Sequence, residues 1–147
     1  MKEPPDITLN FPQSQKRRQA AALQNEIAAC LAEFAPDGES AARTAWIFPR
    51  GFTGFQGHFP GHPVCPGVCV IAAQLAAAGR LAGAALELVE IENVKFMWPI
   101  FPERKIDGQI KIAAVENNFW RVWAELKRGE RRIAKLQLLA RAEGGTL

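Results

Sequence analysis

Both histidines of this 147-residue chain fall in one short stretch, Gly57-His58-Phe59-Pro60-Gly61-His62-Pro63-Val64-Cys65-Pro66-Gly67-Val68, among three prolines and three glycines. Pro60, Pro63 and Pro66 fix φ and stiffen the path. The glycines let a ligand or a second backbone come close. An imidazole titrates near neutrality, so His58, set before a rigid turn, suits proton transfer. Pro66 marks the start of a helix, where its missing N–H costs nothing. Gly67 and Val68 follow in the first turn, whose N–H groups lack helical acceptors. Together with the positive end of the helix, they can hold a carbonyl oxygen that becomes negative. A histidine base beside a helix N-terminus suits enolisation of a carbonyl compound, the proton leaving the adjacent carbon.

The elements that must position this loop are readable around it. Residues 1–13 are proline-rich and are expected to be irregular. Leu23, Ile27, Cys30, Leu31 and Phe34 recur at three- and four-residue spacing, which predicts an amphipathic helix from Ser14 to about Phe34, ended by Pro36-Asp37-Gly38. Arg43–Phe48 alternates as a strand. Val68 to about Ala84 carries no charge except Arg80, so this helix must be covered on most sides. Then the period changes. Leu86–Trp98, Lys105–Val115, Phe119–Lys127 and Arg131–Ala142 read as four strands of an antiparallel meander, with short turns at 116–118 and 128–130. Pro99 and Pro102 put a bend between the first two. The expected architecture is a single α+β domain over 1–147. Residues 1–40 form an N-terminal extension and helix, and 41–142 a core in which the sheet curls round one buried helix.

Composition excludes several classes. A net charge of +3 is too mild for a nucleic-acid binder, and Lys16-Arg17-Arg18 fits a solvated helix face. The apolar run 68–85 is mostly Ala and Gly and holds Gln74 and Arg80, so no membrane span is expected. Three cysteines form no paired framework and the N-terminus has no apolar leader, which leads to the expectation of a reduced, cytoplasmic setting. Cys65 and Cys69 flank a helix mouth that can lower a thiol pKa; the simpler expectation is that both are small apolar fillers. His58 and His62 lie four apart in a loop and have no third ligand, so no metal site is expected.

The stretch from Phe55 to Val68 resembles the signature of β-hydroxyacyl-acyl carrier protein dehydratases of the hot-dog fold: Gly-His-Phe-Pro-Gly-x-Pro-x-x-Pro-Gly-Val. Glu92-Asn93-Val94-Lys95-Phe96-Met97-Trp98-Pro99-Ile100-Phe101-Pro102 is similar to the strand and bend after the central helix of that family, and coverage runs over about 41–142. The resemblance implies a homodimer, or a higher oligomer, with a ten-strand sheet shared by two subunits. It implies acyl chains carried on the phosphopantetheine of acyl carrier protein or on coenzyme A, and no further cofactor. His58 would act as base at C2, and the Gly67 N–H would hold the thioester oxygen. Phe59, Pro60, Cys65, Pro66, Val68 and Ala72 would line the substrate path.

One position departs from the pattern. Aligned on Pro66-Gly67-Val68, the acidic residue that the other subunit contributes in that family falls on Ala72, which cannot protonate a leaving hydroxyl. Gln74, two residues on, points to roughly the opposite helix face. Glu87, Glu90 and Glu92 follow the helix and fall on or near a strand. Three functions stay open: a 3-hydroxyacyl-thioester dehydratase of lipid or polyketide-type metabolism, a hot-dog acyl-thioester hydrolase, and a non-catalytic acyl-binding subunit.

Overall fold

A computed structural model describes residues 13–56 and 63–143, with side chains from residue 21 onward. The element order is α1 (Gln13–Ala29), β1 (Leu31–Pro36), β2 (Ala41–Trp46), a 3-10 turn (Thr53–Phe55), α2 (Gly67–Ala82), β3 (Leu86–Phe96), β4 (Ile106–Ala114), β5 (Phe119–Arg128) and β6 (Arg131–Ala142). The strands form one antiparallel sheet in the order β1-β2-β4-β5-β6-β3. α2 lies on one face of it, and the expected α+β architecture is borne out.

The first helix is shorter than its spacing predicts. It stops at Ala29, and residues 31–36 pair with β2. The cause of the misreading is a bulge between Leu31 and Glu33. An extra residue in a strand shifts the alternation of its side chains. Leu31 and Phe34, three apart, therefore both pack against the core, as they would on a helix. Among the described residues the sheet consequently holds six strands, where the resemblance implied five per subunit.

The meander also differs. Only β4, β5 and β6 follow one another as hairpins, while β3 pairs with β6 and becomes the sheet edge. The connection through Pro99 and Pro102 cannot close a tight hairpin onto β4. The remaining turns are tight: Asn117 and Asn118 both take positive φ, as does Gly129. Asparagine and glycine tolerate that region best.

α2 shows why its sequence lacks charge. Cys69, Val70, Ala73, Gln74, Ala77 and Ala78 are buried against Ile110, Ile112, Val122, Leu126, Leu136 and Leu138 of the core. Burying each large aliphatic side chain contributes roughly 1.5–3 kcal/mol. The opposite stripe, Ile71, Ala72, Leu75 and Ala76, is only half covered, so the helix is less enclosed than its composition predicts. The helix ends at Gly83, whose φ of 74° suits glycine and whose N–H donates to the Gly79 carbonyl at 2.8 Å.

Candidate active site at the mouth of α2

Among the described residues, no side chain caps the α2 N-terminus. Pro66 is the N-cap, not the first helical residue, with ψ of 147°. Its carbonyl accepts from Cys69 N–H at 3.0 Å and Val70 N–H at 3.1 Å. Among the described residues, the N–H groups of Gly67 and Val68 have no acceptor, as the first turn of a helix requires.

A cavity of about 350 Å³ lies at this mouth, lined by Cys65, Gly67, Val70, Phe96, Met97, Trp98, Pro99, Ile100 and Ile133. Cys65 N–H donates to the Ile100 carbonyl at 2.8 Å, fastening the loop to the β3–β4 bend. Gly67 lets the Phe96 ring come close: a Cβ there would come within 2.9 Å of the ring, which would have to shift. The Arg131 guanidinium sits 4.0 Å over the Trp98 ring, so one wall carries an apolar plane backed by a cation. This is an open, largely apolar recess with the Gly67 N–H at its edge, suited to polarising one carbonyl of a chain that is otherwise apolar.

The site residues expected from sequence divide. Gly67 and Cys65 line the mouth cavity. Val68 does not; it is 71% exposed and points to solvent. Ala72 lines a different groove of about 360 Å³ with Gln24, Ile27, Leu75, Ala76, Gly79, Arg80, Ala84, Ala85, Leu86 and Glu143. Five residues turn a helix by about 500°, so Gly67 and Ala72 point some 140° apart. His58, Phe59, Pro60 and His62 lie outside the described residues. Phe96, Met97, Ile100 and Ile133 were missed as lining residues. The similarity of Glu92–Pro102 to the family's strand and bend marked the first three by position; nothing in sequence marked Ile133.

No carboxylate of β3 lines the mouth cavity. Glu92 accepts from Arg121 Nε and the second Arg121 nitrogen, each at 2.8 Å, and from Gln137 at 3.1 Å. Those bonds, Arg121 first, hold its carboxyl down at about 2. Arg121 and Gln137 alternate with Val122, Leu136 and Leu138 of the core, so this cluster sits on the sheet face away from α2. Glu87 pairs with Arg141 at 3.2 Å, and the charge of Glu90 acts on Arg121. Gln74 is buried in the core, its Oε1 without a partner among the described residues.

The cysteines are fillers. All three are free and buried. Burial, and then mutual repulsion of the thiolates, pushes the Cys65 thiol up. Burial and the Glu26 charge raise Cys69, and burial, Glu26 and Cys69 push Cys30 up to about 11. The lowered thiol that a helix mouth can produce is absent because desolvation outweighs the dipole. Of the basic residues, Arg50 pairs with Glu103 at 3.3 Å, Lys105 with Glu33 at 3.0 Å, and Arg80 stacks on Phe34 at 4.2 Å. Among the described residues no three His, Cys, Asp or Glu side chains converge to hold a metal ion, and no helix is long and apolar enough to cross a membrane.

Comparison with known proteins supplies the family. Over 77 residues the chain is 35% identical to the 3-hydroxyacyl-acyl-carrier-protein dehydratase FabZ of Geotalea uraniireducens, covering 46% of this chain and 53% of that one. Over 99 residues it is 29% identical to FabZ of Legionella pneumophila, covering 60% and 66%. The chain thus spans about half to two-thirds of the length of these curated relatives. Its fold matches the dehydratase heterocomplex ApeI:P from Xenorhabdus doucetiae with a TM-score of 0.62 at 20% identity, over 76% of this chain and 96% of that one. It also matches the PaaI protein of E. coli with a TM-score of 0.57 at 16% identity, over 88% and 99%. These are hot-dog folds, as the sequence resemblance implied. The family model for ApeI dehydratases matches residues 35–132, more than half of the chain. With the Pro66-Gly67 helix mouth inside that span, the chain belongs to the ApeI-like dehydratase family.

Proposed function

We propose that this protein is a hydro-lyase acting on 3-hydroxyacyl thioesters, in lipid or polyketide-type metabolism. The observation that carries this reading is the open α2 N-terminus, with Gly67 N–H at the edge of an apolar cavity and without an acceptor among the described residues. The thioester oxygen accepts from Gly67 N–H, which stabilises the enolate as charge develops. His58 takes the C2 proton as base. The C3–O bond then breaks as the enolate electrons form the C2–C3 double bond, the hydroxyl leaving as water with that proton returned from the His58 imidazolium. The acyl chain lies against Phe96, Trp98 and Ile100. The thioester is carried on the phosphopantetheine of acyl carrier protein or on coenzyme A, with no separate cofactor, in the cytoplasm.

The assembly is a dimer through β3. This edge strand is 11 residues long and exposes Val89, Ile91 and Phe96. A long apolar edge is a template for strand pairing. Pairing would also bring the Ala72 groove of one subunit toward the mouth of the other.

Ala72 favours a second reading, in which a non-identical hot-dog chain supplies the carboxylate. The test for both is incubation with a 3-hydroxyacyl thioester while following enoyl product and free thiol. Enoyl product that disappears in His58→Ala supports dehydration by this chain alone. Enoyl product only after addition of an acid-bearing homologue supports the second reading. Free thiol without enoyl product makes the protein a thioester hydrolase and ends both.

A further inference from the structure

The 3-10 turn Thr53–Phe55 lies immediately before the Gly57–Pro63 stretch, and nothing in the turn caps its own start. Its N-cap, Phe52, has no capping side chain. The cap comes from 27 residues away. Glu26, on α1, accepts from Thr53 N–H through Oε1 at 2.5 Å and from Thr53 Oγ1 through Oε2 at 2.8 Å. Both carboxylate oxygens are therefore committed to one residue, in the charge-assisted geometry that makes such bonds shorter and roughly twice as strong as neutral ones. The turn is pressed against α2 as well. A Cβ at Gly54 would come within 3.0 Å of Cys69 Sγ, in the first turn of that helix. Phe52 packs edge-on against Phe55 and tilts against Phe48, both buried. The negative charge of Glu26 reaches the Cys69 thiol and raises it.

We infer that Glu26 is a positioning residue for the dehydration proposed above: by clamping Thr53 it fixes the chain five residues ahead of His58 relative to the mouth of α2. The inference rests on that functional reading, and it gives α1 a role in the site. The other side of the loop is held independently, by Cys65 N–H on the Ile100 carbonyl at 2.8 Å. Both Glu26 oxygens accept from Thr53, so the side chain is turned to the 3-10 turn and does not line the mouth cavity.

The test uses Glu26→Ala, Glu26→Gln, Thr53→Val and the double variant Glu26→Ala/Thr53→Val. Three quantities are measured: kcat for enoyl formation, KM for the thioester, and the NMR ring signals of the two histidines, assigned with His62→Gln. A misplacement of about 1 Å can cost on the order of a hundredfold in rate. Glu26→Ala is expected to lower kcat at least tenfold with KM within about twofold, and to shift or broaden the His58 signals. Glu26→Gln, which keeps one acceptor oxygen, restores most of kcat. Thr53→Val reproduces part of the loss, and the double variant is no worse than Glu26→Ala. If Glu26→Ala fails to fold, Thr53→Val carries the comparison. An unchanged kcat with unchanged His58 signals overturns the inference. So does equal loss in Glu26→Ala and Glu26→Gln with wild-type His58 signals, because Glu26 would then be giving up a proton itself. A wild-type protein that forms no enoyl product ends the dehydratase reading instead, and the His58 signals still decide whether the clamp orders the loop.

Discussion

Restoring a carboxylate at residue 72 separates a site that lacks one group from a site that is wrongly identified. Ala72→Glu adds a side chain to the half-covered face of α2, beside a groove of about 360 Å³. The new side chain therefore displaces water and no packed core. Glutamate and alanine both favour helices, and the propensity difference is below about 0.7 kcal/mol. The nearby Arg80, on the rim of the same groove, offsets part of the desolvation. A stability loss of no more than about 1 kcal/mol is expected, comparable to an ordinary surface-to-groove substitution. A general acid is worth about 10²–10⁴ in rate, which corresponds to roughly 2.7–5.4 kcal/mol of barrier. Enoyl formation from a 3-hydroxyacyl thioester should therefore rise at least a hundredfold in the variant, with the melting temperature nearly unchanged. The gain must vanish when His58→Ala is added, since an acid without the base does not complete the reaction. A folded variant with unchanged dehydration would refute the reasoning: residue 72 would then not face the hydroxyl of a substrate held at the Gly67 mouth.

Gly67→Ala should separate stability from turnover. The methyl gains up to about 1 kcal/mol of helix propensity, yet it meets the half-exposed Phe96 ring at 2.9 Å and must push it into the cavity; thermal melts should stay within a few degrees while kcat/KM falls at least tenfold. Glu92 is held at about 2, below its ordinary 4.5, so its contribution is complete above 4.5 and is lost as pH falls toward 2. Denaturant midpoints of the wild type and Glu92→Gln should differ near neutrality and converge in acid. The Cys30 thiol, raised from 9.0 to about 11, holds about a hundredfold less thiolate than a free cysteine. Iodoacetamide near neutrality should leave Cys30, Cys65 and Cys69 unmodified in the folded protein and label all three in denaturant; rapid labelling of the native protein would contradict their burial.

Much of the chain was legible before folding. The charge-free run after Gly67, the alternation of Trp120, Val122, Ala124 and Leu126, and the paired asparagines at 117–118 each report a local rule. The structure follows them within one or two residues. The Pro66-Gly67 helix mouth was legible for the same reason, since proline and an unpartnered first turn are local properties. The bulge at Leu31–Glu33 was not, because its same-face spacing of three imitates a helix and only pairing with β2 reveals the strand. Phe96 and Ile133 as cavity walls, and Glu26 as the cap of Thr53, depend on residues distant in the chain, so no window of sequence contains them.

Sequence by itself determined the chemistry on offer. It set a histidine among prolines and glycines, a helix N-terminus opened by Pro66-Gly67, and an alanine where the family carries an acid, because residue identity and local backbone preference need no neighbours. Tertiary structure decided which groups can act together. It turned Glu87 and Glu92 onto the sheet face away from α2, and it gave Ala72 a separate groove from Gly67. Alternation along a strand and rotation about a helix acquire a direction only when the sheet and the helix are packed against each other.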